Sequence, residues 1–410
     1  MDTTVPVQGS AKNTEAGETV RVKNIGLRGV TVADTRISHT DGQNGILLYR
    51  GYRIEELAQN STFEETAYLL LHDALPTAPQ LEEFRKRLVE ARRVPPFVFD
   101  VLRQLPKQSL PMDVLQASIP VLAMADPDLA DDSREANNAR AIRLIARVAV
   151  IVAGWHRLRN GREPLPPDDA LSQAGNFLWQ LTGSPSHAEI ARDLDTALVL
   201  HADHSFNPST FACREVVSTR AHMYAGVAAG VGALSGSLHG GANAQVMKML
   251  LELQDEKDIA GWVKRQLTAG QKIMGIGHAV YKTMDPRARF LKDICFRFGK
   301  KMREEHWCRL LGEIEAAAVA ELNARGLTTI RPNVDFYSAP VYHMMGIPHD
   351  LMTPVFAVAR MAGWTAHIIE EKFGDAQEEK PVLYRPLSEY VGHYCGRAGC
   401  VYEGIAQRKG

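Results

Sequence analysis

Apolar residues recur at helical spacing along most of the chain, with polar residues between them. Residues three or four apart share one helix face, so this spacing is typical of amphipathic helices. One such stripe consists of Ile190, Leu194, Ala197 and His201. Strand-like alternation is short and confined to places such as residues 29–32 and 46–49. The pattern therefore predicts a mainly α fold.

Signals for helix ends are frequent. Capping-box spacing occurs at Thr62 with Glu65 and at Ser186 with Glu189. Pro286, behind Asp285, is typical of a first helical turn. The run AGVAAGVGAL at residues 225–234 predicts a tightly packed central helix, because small residues let helix backbones approach closely.

Composition and charge narrow the function classes. The 410 residues include 47 Lys plus Arg and 48 Asp plus Glu, so no general attraction to nucleic acid or anionic membrane is expected. The longest uncharged stretch, residues 221–247, is rich in Gly, Ala and His and lacks a membrane span. Residues 1–20 are polar and include acidic residues, which indicates a disordered leader rather than a targeting peptide.

Five scattered cysteines fit a reducing compartment, and we predict a cytoplasmic protein. They are Cys213, Cys295, Cys308, Cys395 and Cys400. The last two could pair with each other, but C-x4-C alone is weak evidence for zinc, and plain thiols are the favoured interpretation.

His201 and His204 continue the inward-facing stripe of a helix. They either face a polar cavity or are hydrogen-bonded core histidines, and the residues alone slightly favour the core interpretation. A metal site is a remote possibility, because there is no HExxH and no obvious third ligand.

His239 stands among glycines just before a predicted helix at residues 244–253. The positive end of a helix dipole disfavours the charged imidazole, and a neutral histidine can donate a hydrogen bond to a developing enolate oxygen. An incidental histidine in a glycine turn is an equally good interpretation of this segment alone.

His278 follows a Gly-x-Gly that is neither a P-loop nor a dinucleotide fingerprint, and alone it is as well explained as a turn residue as a catalytic one. Arg287 is more informative. It is predicted in the first turn of a helix, where a cation is unfavourable beside the positive end of the dipole. An anionic ligand there would satisfy both the arginine and the free backbone N–H groups. The basic stretch at residues 289–303 is typical of a solvated face, although it could also bind phosphates.

Arg360 is the only charged residue between Val355 and Ala366. An arginine in such an apolar run is costly unless the protein or a substrate supplies a carboxylate. Asp335, in a loop ahead of a helix, is a candidate base, although an ordinary N-cap is the better interpretation of that segment alone. Together these residues suit proton abstraction next to a carbonyl and attack on a second, anionic carbonyl compound.

Four motifs in this order closely resemble those of citrate synthases. They are HADHSFNPST at 201–210, HGGAN at 239–243, GHAVYKTMDPR at 277–287 and NVDFYS at 333–338. The resemblance extends from GLRG at 26–29, through LYRGYRIEEL at 48–57, to EYVG at 389–392, nearly the whole chain.

The resemblance implies roles for individual residues. Asp335 takes a proton from the acyl-CoA, His239 stabilises the enol, and His278 polarises the ketone and protonates the alkoxide. Oxaloacetate is held by His204, Arg287, Arg360 and, from a neighbouring subunit, Arg385. CoA is expected along Ile273, Met274, Gly275, Gly277 and Lys282. No metal or tightly held cofactor is expected.

The resemblance also implies a homodimer with a two-domain helical fold. Residues 1–240 and 346–410 are expected to form a large domain, and residues 241–345 a small domain that closes over the substrates and excludes water. The tail from residue 393 to 410 matches no pattern.

Several positions depart from the commonest bacterial pattern, and none removes a catalytic group. They are Pro208, Ser237, Ala279, Ala339 and Leu387. Ala339 and Leu387 leave undecided which acyl chain is accepted and how CoA is held. The nearest alternative to citrate synthase is therefore 2-methylcitrate synthase, which uses propionyl-CoA. A non-catalytic paralogue that binds CoA or a dicarboxylate is a third interpretation, against which the intact motifs argue.

Overall fold

The computed structural model describes residues 22, 25–27, 29–377, 382–393 and 396–408, and the chain divides into the units Met1–Asp34 and Thr35–Gly410. In the first unit the Val30 N–H donates to the Leu27 carbonyl, with an N···O distance of 3.1 Å, and Gly29 has φ +73°. This turn curls the backbone, so the strand predicted at residues 29–32 is wrong. The predicted leader, residues 1–20, lies outside the described residues.

Helices form most of the second unit, which confirms the predicted mainly α class. Sixteen α-helices lie in the described part of the chain: α1 Ile54–Asn60, α2 Phe63–His72, α3 Ala78–Ala91, α4 Pro96–Gln104, α5 Pro111–Ala123, α6 Arg134–Arg159, α7 Gln173–Thr182, α8 Ala188–His201, α9 Pro208–Ser218, α10 Met223–Ser235, α11 Ala242–Leu253, α12 Ile259–Thr268, α13 Ala288–Met302, α14 Glu305–Ala324, α15 Val334–Met344 and α16 Met352–Phe373. Short 3-10 helices occur at His349–Leu351 and Ile405–Gln407.

A small antiparallel sheet precedes the helices, with strands β1 Ser38–Asp41, β2 Ile46–Tyr49 and β3 Tyr52–Arg53 in that order. The β1–β2 turn packs on the loop that follows His278. The Lys282 N–H donates to the Gly42 carbonyl over 2.8 Å, and a Cβ at position 42 would lie 2.2 Å from the Val280 carbonyl oxygen. Only glycine fits at this point of the turn.

The helix predicted from its small residues, α10, packs closely against α9, α5 and α16. A Cβ on Gly230 would lie 2.4 Å from the Cys213 sulfur, and one on Gly226 would lie 2.7 Å from a Val217 methyl carbon. These distances confirm the predicted close approach. Nearly all of α16 is buried, so it forms the centre of the helical core.

Helix starts agree only in part with the predicted signals. The Thr62 side chain caps α2 as expected. Helix α8 instead begins after His187 with no side-chain cap, so the box predicted at Ser186 is wrong. Helix α13 begins at Ala288, later than predicted, because Asp285 accepts a hydrogen bond from the Arg287 N–H and forms a separate turn ahead of the helix.

The cysteines also agree only in part. Cys213, Cys295 and Cys308 are buried free thiols, as predicted. Cys400 is disulfide-bonded, so the prediction of a plain thiol is wrong there, and Cys395 lies outside the described residues.

The small domain proposed for residues 241–345 stays a prediction. No helix in the described part of the chain is long and apolar enough to cross a membrane.

Candidate active site

The two histidines at the end of α8 have different surroundings. His201 is fully buried, and its Nδ1 lies 2.7 Å from the Ala197 carbonyl, as in an ordinary core histidine. His204 lies just beyond the helix, with its Nε2 3.1 Å from the Tyr281 hydroxyl. Burial, reinforced by Arg287 and His278, lowers the pKa of His204 well below its usual range. The core interpretation therefore fits His201, and His204 is a neutral group beside other polar residues.

His239 lies in the loop between α10 and α11, held by Ser209 at the start of α9. Its Nε2 is 3.2 Å from the Ser209 backbone nitrogen, which donates to it, and 2.8 Å from the Ser209 hydroxyl. A backbone N–H can only donate, so in the neutral ring the proton is on Nδ1. Burial, with a smaller effect of Arg360, lowers the pKa of His239 to about 4. This low pKa supports the neutral form predicted for His239, and burial is its largest cause.

The loop before His278 depends on two glycines. Gly275 and Gly277 have φ +78° and +101°, and a Cβ on Gly275 would lie 2.8 Å from the Cβ of Phe336. His278 Nδ1 accepts hydrogen bonds from two backbone N–H groups, Val280 at 2.9 Å and Tyr281 at 3.1 Å. The proton of the neutral ring is therefore on Nε2. Burial is the largest cause that lowers the pKa of His278 to about 4.

Asp335 is the second residue of α15. Asn333 caps this helix by accepting from the backbone N–H groups of Asp335 and Phe336 at 2.9 and 3.3 Å, so the N-cap interpretation of Asp335 is wrong. The carboxylate of Asp335 does not cap the helix. Burial raises the pKa of Asp335 to about 6, although Arg287 acts in the opposite direction. A carboxylate with a raised pKa is a stronger base.

Asn333 also joins the Asp335 helix to the His278 loop. Its N–H donates to the Gly275 carbonyl, and its side-chain amide to the Gly277 carbonyl, both over 2.9 Å. The Gly277 N–H donates to the Arg331 carbonyl over 2.8 Å. These bonds fix the candidate base Asp335 and the loop of His278 relative to each other, an arrangement that suits acid–base chemistry.

Arg287 has a carboxylate partner within the chain, which the sequence did not predict. Its Nε and Nη2 donate to the two oxygens of Asp285 at 3.0 and 2.8 Å, and both side chains are buried. The charge of Arg287 is therefore met in part within the chain, and its role toward an anionic ligand stays a prediction. Asp285 also lies 3.8 Å from His278 Nε2, so one carboxylate faces both groups.

Among the described residues, Arg360 has no such partner. Its Nε donates to the His201 carbonyl over 2.8 Å, and its guanidinium lies 4.6 Å from the centre of the Phe356 ring. Its Nη2 is buried without a hydrogen bond, and no carboxylate of the described residues forms an ion pair with it. Burial lowers the pKa of Arg360 to about 10, so it stays charged at neutral pH. The sequence allowed the carboxylate for this arginine to come from the protein or from a substrate, and the described residues do not supply it.

These groups share one electrostatic neighbourhood. Arg360 acts on the pKa values of His204, His239 and Asp335, and Arg287 acts on those of His204, His278 and Asp335. The rings of His204 and His278 are 5.6 Å apart, centre to centre. The structure thus brings together six of the seven predicted catalytic and oxaloacetate-binding residues.

Arg385 is the exception, because its side chain is exposed on the described segment 382–393. Among the predicted CoA contacts, Ile273 is buried below its loop and Lys282 is exposed. Much of the basic stretch is used in ion pairs: Lys292 with Glu315, Arg297 with Glu189 and Asp193, and Lys301 with Glu189. These ion pairs favour a surface role for the basic stretch over phosphate binding.

Sequence reasoning missed three residues that contact the site, Ser209, Asp285 and Tyr281. Asp285 precedes Arg287 by two positions, a spacing at which a carboxylate in a turn can reach both backbone and side chain. Ser209 and Tyr281 gave no signal beyond lying inside the motifs. Within the described residues, no three His, Cys, Asp or Glu side chains are arranged to bind a metal ion.

Comparison with known proteins extends the motif resemblance to the whole chain. The family model "Citrate synthase, C-terminal domain" matches residues 26–387. A citrate synthase of Synechocystis sp. is 42% identical over 90% of this chain and 91% of its own. A 2-methylcitrate synthase of Mycobacterium tuberculosis is 38% identical, over 90% of each chain.

Solved structures agree. Citrate synthase from Pyrobaculum aerophilum matches 98% of this chain and 100% of its own, with 34% identity and a TM-score of 0.85. Citrate synthase from Thermoplasma acidophilum, solved as a ternary complex with carboxymethyl coenzyme A and oxaloacetate, matches 93% of this chain and 98% of its own, with 32% identity and a TM-score of 0.83.

 

Proposed function

We propose that this chain, which belongs to the citrate synthase family, condenses acetyl-CoA with oxaloacetate and water to give citrate and CoA, with Asp335, His239 and His278 as the reacting groups. The observation that supports these roles most strongly is the buried guanidinium of Arg360. It lacks a carboxylate partner in the described chain, and it lies in one neighbourhood with two neutral histidines and a carboxylate of raised pKa. Oxaloacetate, a dianionic keto acid, would supply a carboxylate partner for that guanidinium.

Asp335 begins the reaction as the base. With a pKa of about 6 it is ionised at neutral pH, yet it holds a proton more strongly than an ordinary aspartate. It takes a proton from the methyl group of the acetyl thioester. The electron pair of that C–H bond moves toward the thioester carbonyl, whose oxygen gains negative charge.

His239 meets that charge. Because Ser209 occupies its Nε2, the neutral ring has Nδ1–H free to donate to the thioester oxygen. A donor that is already oriented stabilises the enol form without further rearrangement. The low pKa of His239 suits a hydrogen-bond donor that stays neutral.

His278 acts on the second substrate. Its Nδ1 accepts two backbone N–H groups, so Nε2–H donates to the ketone oxygen of oxaloacetate. The enol carbon attacks the keto carbon, a C–C bond forms, and the alkoxide takes the proton from His278. Water then cleaves the thioester bond of the citryl intermediate and releases the CoA thiol.

The remaining predicted residues bind the substrates. We propose that Arg360, Arg287 and His204 hold the carboxylates and ketone of oxaloacetate, and that CoA lies along residues 273–277 with Lys282 near its phosphates. The Thermoplasma complex, which contains a CoA analogue and oxaloacetate, supports this pair of ligands. Side chains move the protons of the condensation in this scheme, and we propose that no metal or bound cofactor takes part.

We further propose a homodimer in which Arg385 of each subunit completes the oxaloacetate site of the other. Its exposure on one chain supports a role outside that chain's own buried cluster. We also propose a cytoplasmic location, supported by the three buried free thiols, although the disulfide at Cys400 argues against it.

An assay for released CoA thiol tests the function. With oxaloacetate present, we expect a higher kcat/KM for acetyl-CoA than for propionyl-CoA, because the relatives of higher identity are citrate synthases. One methylene in an apolar pocket changes the selectivity by only about 1 to 3 kcal/mol. A preference for propionyl-CoA would make 2-methylcitrate synthase the correct assignment, and ligand binding without thiol release would indicate a non-catalytic protein.

A further inference from the structure

Tyr281 lies between two histidines of the proposed site, and the reaction scheme above gives it no role. Its side chain is only 2% exposed although it lies on an otherwise exposed loop. Burial raises the pKa of its phenol, so the hydroxyl stays protonated. A buried hydroxyl needs a hydrogen-bond partner, and the partner here is His204.

The hydroxyl of Tyr281 is 3.1 Å from His204 Nε2. A phenol both donates and accepts, so this bond forms with either tautomer of the ring. The two rings meet nearly edge to face, with centres 5.6 Å apart and an interplanar angle of 78°. The hydroxyl therefore fixes the rotation of the His204 ring.

The same residue contacts His278 in two other ways. Its backbone N–H donates to His278 Nδ1 over 3.1 Å, and its ring centre lies 4.7 Å from that of His278 at 44°. The backbone bond does not depend on the side chain at position 281, but the ring contact does. One side chain thus contacts His204 through its hydroxyl and His278 through its ring.

We propose that Tyr281 is a positioning residue with two separable tasks. Its hydroxyl orients His204 for oxaloacetate binding, and its ring orients His278 for proton donation to the ketone. The proposal rests on the function proposed above. It predicts that the two tasks affect different kinetic parameters.

Two substitutions separate the tasks. Tyr281→Phe keeps the ring and the backbone N–H but removes the hydroxyl, so we expect the KM for oxaloacetate to rise about 3- to 10-fold, as for loss of one hydrogen bond. The kcat and the KM for acetyl-CoA should stay within about twofold of the wild-type values, because the ring and the backbone N–H that contact His278 remain. Tyr281→Leu also removes the ring, and kcat should then fall as well.

A coupling measurement distinguishes positioning from general destabilisation. In a His204→Asn background, Tyr281→Phe should not change the KM for oxaloacetate further, because the hydroxyl acts through the His204 ring. Additive effects of the two substitutions would contradict this route of action.

Tyr224→Phe provides a matched control. Tyr224 is 1% exposed on α10, beside Arg143 and Asp126, and removing its hydroxyl should leave all three kinetic parameters unchanged. An unchanged oxaloacetate KM in Tyr281→Phe would overturn the proposal. So would loss of folded protein, or equal changes in every parameter with a lower thermal midpoint, since each assigns the hydroxyl a structural role. A wild-type chain without thiol release would instead contradict the proposed function.

Discussion

Helix α16 buries charge at two places that differ in how the charge is met. Near its end, Glu370 and Glu371 form ion pairs with Arg214 at 2.6 and 2.7 Å, with all three side chains buried. Near its middle, Arg360 is equally buried but has no ion pair with a described carboxylate.

The difference separates charge that belongs to the structure from charge that is available to a ligand. Buried ions are costly unless they are paired, and the paired cluster around Arg214 meets that requirement within the chain. Arg360 meets it through a backbone carbonyl, an aromatic ring and the more distant charge of Asp203, without an ion pair to a described carboxylate. We infer that the middle of α16 is organised for an anion and its end for stability.

Asp335→Ala has the largest expected effect and sharpens the comparison, because it separates reacting charge from binding charge. We expect kcat to fall by about 10³-fold, within the range for loss of a general base. Oxaloacetate affinity should stay within about twofold on this account, since the base acts on the other substrate. Thiol release and calorimetric titration measure the two quantities. Asp293→Ala, on the exposed face of α13, is the control, and normal turnover by Asp335→Ala would show that another group is the base.

Arg214→Leu tests the structural end of α16. The substitution leaves Glu370 and Glu371 buried without their partner, so the free energy of unfolding should fall by about 3 to 5 kcal/mol. Denaturant unfolding monitored by tryptophan fluorescence measures the change. Replacing both glutamates by glutamine in the same chain should restore part of the loss. If Arg214→Leu unfolds at the wild-type midpoint, this cluster does not stabilise the fold.

The pH profile tests whether Asp335 or a histidine sets the acid limit. Asp335 must be ionised to act, and its pKa is about 6, so kcat/KM for acetyl-CoA should be high above pH 6 and fall tenfold per unit well below it. His239 and His278 have pKa values of about 4 and stay neutral over that range. A rate that stays constant down to pH 5 would contradict the raised pKa of Asp335.

Arg360→Met should have the smallest effect on stability. Removing a buried cation that lacks a carboxylate partner relieves a desolvation cost, so the thermal midpoint should stay the same or rise slightly. The comparison with Arg214→Leu under identical conditions is the check. A fall as large as that of Arg214→Leu would erase the distinction between the two ends of α16.

The sequence predicts the helical class and most of the site, for reasons that differ between residues. Periodicity identifies α8 as far as His201, because helix faces repeat locally, whereas His204 lies beyond the end of the helix. The order of the four motifs identifies His239, His278 and Asp335, each of which has a structural explanation when taken singly. The sequence could not predict that Arg360 lacks an ion pair among the described residues, because a partner carboxylate can come from anywhere in the chain.

Long-range contacts explain what the sequence could not supply. Ser209 reaches His239 across 30 positions, and Tyr281 reaches His204 across 77, so neither contact leaves a periodic trace. The pairing of Asp285 with Arg287 is local and could have been predicted from the turn. The error at residues 29–32 came from reading a short alternation as a strand where glycine turns decide the backbone.

Calorimetric titration of oxaloacetate into the wild-type chain and into Arg360→Met tests the central claim most directly. If the unpaired guanidinium binds a substrate carboxylate, the variant should lose about 2 to 5 kcal/mol of binding free energy while remaining folded. Arg214→Leu, at a temperature where it is folded, should bind oxaloacetate as the wild type does. Unchanged oxaloacetate affinity in folded Arg360→Met would contradict the account.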